Sequence, residues 1–149
     1  MRTRILGLVA LTLVMVSTTF AKNIEDHVTT KALSAFSQKF ADAKEVNWSK
    51  AENYYKATFK MNEQVYTAFI TERGEWMGVS RNILSYQLPI NLQSELKKEY
   101  GQYWISDLFE FSTEDATTYY ITVENADQKV TLKTVAGSDW SVFRKTKKN

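Results

Sequence analysis

The stretch Tyr54-Tyr55-Lys56-Ala57-Thr58-Phe59-Lys60-Met61-Asn62-Glu63-Gln64-Val65-Tyr66-Thr67-Ala68-Phe69-Ile70 decides how this chain folds. Tyr55, Ala57 and Phe59 alternate with Tyr54, Lys56, Thr58 and Lys60, and beyond Met61-Asn62-Glu63 the residues Tyr66, Ala68 and Ile70 alternate with Val65, Thr67 and Phe69. A period of two interrupted by a short polar break predicts an antiparallel hairpin with one apolar face. Ser49-Lys50-Ala51-Glu52-Asn53 upstream and Glu72-Arg73-Gly74 downstream are further hairpin-sized breaks. A meander of about four strands is expected from Val46 to about Arg81.

Outward from the meander lie two amphipathic segments. Between Asp26 and Phe40, the cap candidates Asp26, Thr29 and Thr30 precede Leu33, Phe36 and Phe40 at spacings of three and four, which predicts a helix near Val28 to Phe40. Leu88-Pro89 opens the other, Leu92, Leu96 and Tyr100 follow at spacings of four, Lys97 and Lys98 occupy the last turn and Gly101 stops it. This helix, near Pro89 to Tyr100, is followed by an extended run from Tyr103 to Phe111 and strands around Thr117 to Glu124, Gln128 to Val135 and Asp139 to Lys145. A shift of 64 residues carries Tyr55, Phe59, Tyr66, Ala68 and Trp76 onto Tyr119, Val123, Val130, Leu132 and Trp140, and a slightly smaller one carries Phe40 onto Tyr100. The pattern reads as a duplicated helix-plus-four-strand unit, about 26–83 and 84–146. The expected class is α+β, with two helices packed on one face of a mostly antiparallel sheet of about eight strands, and with Trp76 and Trp140 in the core.

Arg2 and Arg4, the apolar run from Ile5 to Val16 and the small-polar stretch Ser17 to Ala21 have the order of a secretory signal peptide, with cleavage expected after Ala21 and a single domain over 22–149. The run is short for a membrane span and no second one follows. Taking Arg2 and Arg4 from the 19 basic residues leaves as many as the 17 acidic ones, so the electrostatic case for nucleic-acid binding largely vanishes, and the basic run Lys145, Lys147 and Lys148 reads as a frayed, solvated end. The chain has no cysteine and one histidine, which excludes thiolate or multi-histidine metal sites and a cysteine nucleophile.

Phe36, Phe40, Ala43, Val46, Trp48, Tyr55 to Phe59, Ala68 and Gly74-Glu75-Trp76, followed by Leu88-Pro89, Tyr100-Gly101 and Tyr103-Trp104-Ile105, resemble the exported PepSY-like proteins of Gram-negative bacteria. That family's fold is similar to the beta-lactamase-inhibitor protein. The resemblance spans nearly all of the chain after Ala21 and rests on core and turn positions. It implies export, a helix-plus-sheet repeat and no catalysis. The second half departs from the pattern, with Thr134-Val135-Ala136-Gly137-Ser138 where the first half has Gly before Trp.

Chemistry-bearing residues are sparse. His27 stands beside Glu25 and Asp26 with no partner at ligand spacing, and the pairs Glu114-Asp115 and Glu124 with Asp127 fall in expected turns where water solvates them. No serine has a nucleophile-elbow context, no glycine run cradles a phosphate, and Asn47-Trp48-Ser49 reads as a strand entering its turn. No catalytic residue, metal site or cofactor is expected. What remains is surface: alternation places Tyr54, Lys56, Phe69, Tyr120 and Lys133 on the sheet face away from the helices, a composition suited to recognition. The favoured expectation is an exported, non-enzymatic binding module, periplasmic or secreted, that binds or inhibits a protein or peptide partner of the envelope. The alternative is a carrier of a small molecule or lipid between helices and sheet. Solid filling of that interface by the tryptophans favours the module.

Overall fold

A computed structural model describes residues 27–135 and 138–148. Its elements run α1 (Thr30–Lys39), β1 (Lys44–Lys50), β2 (Tyr54–Met61), β3 (Gln64–Thr71), β4 (Trp76–Asn82), α2 (Ile90–Tyr100), β5 (Trp104–Ser112), β6 (Thr117–Glu124), β7 (Gln128–Val135) and β8 (Asp139–Lys147). A 3-10 turn at Ser85–Gln87 precedes α2. The eight strands form one antiparallel sheet in chain order, and the order helix, then four strands, occurs twice. The expected signal segment and Gly137 lie outside the described residues.

The hairpin quoted above pairs as its alternation requires, with Tyr55 opposite Ile70, Ala57 opposite Ala68 and Phe59 opposite Tyr66. Its turn is Asn62-Glu63 with φ of 50° and 62°, the left-handed pair that matches the twist of a two-residue hairpin. Helix α1 starts at Thr30, two residues later than Val28, because Thr29 is the N-cap: its Oγ1 accepts from the Ala32 N–H and donates to the Glu72 carbonyl at 2.8 Å. One side chain thus caps the helix and ties it to the β3–β4 turn. Gly74 in that turn has φ 84°, and a Cβ there would lie 2.8 Å from the Lys31 carbonyl, so only glycine lets the turn close against α1.

Two cores result. Val28, Ala32 and Phe36 pack on Trp48, Tyr55, Ala57, Phe59, Ala68 and Ile70, while Leu88, Leu92 and Leu96 pack on Leu108, Ile121, Val123, Val130 and Leu132. Following the register from Ala68 to Val79, then Ser112, shows that both cores lie on the same face, since Ser112 and Leu108 are four residues apart on β5. Between the cores that face is bridged by polar groups: Arg81 donates from Nε to Glu110 and from Nη1 to Gln64, each at 2.6 Å.

Trp48 is buried, whereas Trp76 and Trp140 pack against the two cores without being fully buried in them. Trp76 and Trp140 are half-buried at the rims, and Trp104 is 53% exposed. Trp76 sits at the end of α1, under the Lys39 ammonium at 5.0 Å and 5.6 Å from Phe40. Trp140 lies on the edge strand β8 against α2, where its indole donates to the Leu92 carbonyl at 3.0 Å.

Candidate functional site

The face without helices carries the candidate site. All five residues expected there are found on it and half-buried: Tyr54, Lys56, Phe69, Tyr120 and Lys133. Tyr54 and Phe69 have ring centroids 6.1 Å apart, and the Lys56 ammonium lies 6.0 Å from the Tyr54 ring. Tyr120 and Lys133 face each other across β6 and β7, four and five strands from β2, where Lys56 sits. The two groups are not in contact by themselves.

Three residues that pattern reading missed join them. Phe111 packs edge-on against Phe69 at 5.6 Å, Phe109 stacks on Tyr120 at 5.1 Å, and Phe143 meets Tyr120 edge-on at 5.7 Å while lying under the Lys133 ammonium at 5.4 Å. Phe109 and Phe111, two residues apart on β5, point to the same face about 6.6 Å apart. The six rings therefore form a diagonal stripe from β2 to β8, bordered by Thr58, Thr67, Ser80, Thr118 and Ser141.

Backbone irregularities aim these rings. The register between β7 and β8 shifts so that Leu132 opposes Val142 and Thr131 opposes Arg144, leaving Phe143 as the extra residue of a bulge. Its ring is turned onto the stripe yet stays 57% exposed. On β4, Gly78 has φ 151° and opposes Phe69, and a Cβ there would come within 2.5 Å of the Phe111 ring and 2.8 Å of the Ser112 carbonyl. The bare glycine is the floor on which Phe111 rests.

The charges around the stripe are unevenly committed. Glu45 pairs with Lys60 at 2.5 Å, and Glu124 pairs with Lys148 at 2.7 Å and Lys129 at 3.2 Å. Hydrogen bonds from Lys148, Ser106 and Lys129 pull the Glu124 carboxyl down to about 2, so it stays ionised and occupied. Asp107 is exposed opposite Thr122, at the lower margin of the face. Among the described residues Lys56, Lys133 and Arg144 form no ion pair.

The other candidates lie apart from this face's centre. His27 is exposed, and its carbonyl accepts from the Tyr55 hydroxyl. Glu114 and Asp115 are exposed in the β5–β6 turn, where Glu114 pairs with Lys39 at 3.1 Å. Among the described residues no helix is long and apolar enough to cross a membrane, and no group of three metal-ligating side chains occurs.

Solved structures share this fold. The chain is similar to a DUF2874 family protein from Bacteroides ovatus ATCC 8483, with 19% identity over 79% of this chain and 86% of that chain and a TM-score of 0.70. It is also similar to a Bacteroides eggerthii DSM 20697 chain provisionally described as periplasmic, with 16% identity, coverage of 80% and 88%, and a TM-score of 0.71. A BLIP-like protein from Bacteroides fragilis NCTC 9343 aligns with 17% identity, coverage of 80% and 85%, and a TM-score of 0.66. Sequence comparison matches no family model and no curated protein. The BLIP-like fold expected from the sequence is therefore the fold observed, at a divergence where structure is shared and activity does not transfer.

Proposed function

We propose that this chain is an exported, non-enzymatic binding module that grips a protein or peptide partner of the envelope through the open sheet face. The observation that carries the reading is the aromatic stripe, six rings on a face that, among the described residues, no helix covers. An antiparallel sheet covered on one side normally shows polar residues on the other, so aromatic continuity across β2 to β8 calls for a second layer supplied from outside. Half-buried Phe and Tyr surrounded by Thr and Ser have the anatomy of an interface core with a polar rim. Export is supported by the N-terminal order of charge, apolar run and small residues, and by the neighbour provisionally described as periplasmic. The PepSY-like resemblance and the duplication of one ancestral unit belong to the same proposal.

A carrier would need room between helices and sheet. That interface is filled in the first half by Phe36, Phe40, Phe59 and Trp48, with centroids 4.6 to 5.4 Å apart, which supports the module. The groove outside Trp48, about 450 Å³, opens to solvent along α1 and β1.

The test is capture of partners from an envelope extract by the wild type and by a double variant, Tyr54→Ser with Phe69→Ser. The variant is expected to lose the captured partner while still folding cooperatively, at a cost of about 2 to 4 kcal/mol, because both rings are half-buried on the open face and belong to neither core. Retained capture by a folded double variant would move the binding surface elsewhere, to the β3–β4 turn around Arg73.

A further inference from the structure

We infer that the occupant of the aromatic stripe is an extended segment of a protein partner that carries a carboxylate at each end of an apolar core of about eight residues. The inference rests on the proposed binding face and adds the chemistry and length of what lies on it. Its basis is the distribution of charge along the stripe. At one end Lys56 rides over the Tyr54 ring, and at the other Lys133 rides over Phe143 with Arg144 beside it on β8. None of the three has a carboxylate partner among the described residues, whereas Lys60, Lys129 and Lys148 on the same side of the molecule do. Cations that the fold leaves unneutralised at both ends of an apolar track favour an occupant with negative charge at those ends. Asp107, exposed one row below Phe109, sets the opposite preference at the lower margin and repels an occupant that is acidic throughout.

Length follows from sheet geometry. Lys56 on β2 and Lys133 on β7 are five interstrand steps apart, about 25 Å at ~4.8 Å per step. An extended chain at ~3.3 Å per residue covers that in about eight residues. The apolar middle follows from the ring types: Phe69, Phe109, Phe111 and Phe143 offer no hydrogen-bonding group, so the middle of the track rewards apolar side chains over polar ones that would lose water there.

The test pans the purified protein against a phage-displayed random dodecapeptide library at low salt. Enriched peptides are synthesised and titrated by fluorescence anisotropy against the wild type, the pair K56Q/K133Q and the pair Tyr54→Ser/Phe69→Ser. The expected peptides carry Asp or Glu flanking an apolar core of about eight residues. Their affinity is expected to fall about tenfold in K56Q/K133Q and with added salt, and to vanish in Tyr54→Ser/Phe69→Ser. Enriched peptides with no acidic bias, or with affinity unchanged in K56Q/K133Q, overturn the inference while leaving the face itself in place if Tyr54→Ser/Phe69→Ser still abolishes binding. Peptides that bind this aromatic pair as well as the wild type overturn the face and the inference together. Failure to enrich any peptide overturns the inference, and saturable alginate binding lost in K56Q/K133Q would then assign the track to an acidic glycan.

Discussion

Replacing Phe59 with Ala is expected to destabilise the protein by about 3 to 5 kcal/mol, lowering the melting temperature by roughly 15 °C. Phe59 is 1% exposed and stands at the centre of the first core, with its ring 5.1 Å from Phe36, 4.6 Å from Phe40 and 5.7 Å from Tyr66. Truncation removes the contacts between α1 and β2 and leaves a void that three rings cannot close without leaving their rotamers. By contrast, Trp76→Ala and Trp140→Ala are expected to cost about 2 kcal/mol each, since both rings lie half-buried at the rims, and Trp104→Ala less than about 1 kcal/mol. Urea melts of the four variants give the ranking, and a Phe59→Ala loss below about 1 kcal/mol would contradict the packing described.

Gly78→Ala is expected to cost about 3 kcal/mol, an effect opposite in sign to most solvent-face glycine replacements. Where the backbone tolerates a side chain, Gly→Ala stabilises by about 0.4 to 1 kcal/mol through the unfolded chain. At φ 151° the new Cβ is strained, and it meets the Phe111 ring at 2.5 Å and the Ser112 carbonyl at 2.8 Å. The ring can swing away, but the carbonyl belongs to β5 and is fixed by the sheet. Phe111→Ala in the same background should therefore recover part of the loss, measured as a double-mutant cycle. The displaced ring should also weaken partner capture, since it is the link between Phe69 and Phe109 in the stripe. A neutral or stabilising Gly78→Ala would remove Phe111 from its assigned place.

The two halves were legible to different degrees, for physical reasons. Strict alternation from Tyr54 to Ile70 and from Thr117 to Val135 needs no tertiary knowledge, because period two and a paired register fix which side chains share a face. The helices were equally readable from Leu33-Phe36-Phe40 and Leu92-Leu96-Tyr100, with ends set by Thr29 and Pro89. Strand β5 was not, because its register shifts between Ile105 and Asp107: parity carried from Ile105, opposite the core residue Val123, puts Phe109 and Phe111 on the helix side, whereas the shift places both on the open face. Phe143 was hidden in the same way by the β8 bulge. A bulge is an agreement between two strands and leaves no mark in either one alone. The signal that could have found these residues was the Phe-x-Phe run on β5 set against Gly78 on β4. The misplacement of Trp76 and Trp140 has another cause: equal offsets identify equivalent positions, but their burial depends on how far each helix reaches over its sheet.

The open face, and not the helix side, is the surface proposed to meet the partner. Hydroxyl-radical footprinting of the protein with and without its captured partner tests this most directly, because aromatic and aliphatic side chains report their own solvent access. Leu84 and Tyr86, exposed just before α2, and Ile90, exposed in its first turn, supply the competing apolar surface. The account predicts protection of Tyr54, Phe69, Phe111, Tyr120 and Phe143 with unchanged labelling of Leu84, Tyr86 and Ile90. Protection of Leu84, Tyr86 and Ile90 with the stripe still labelled would contradict it.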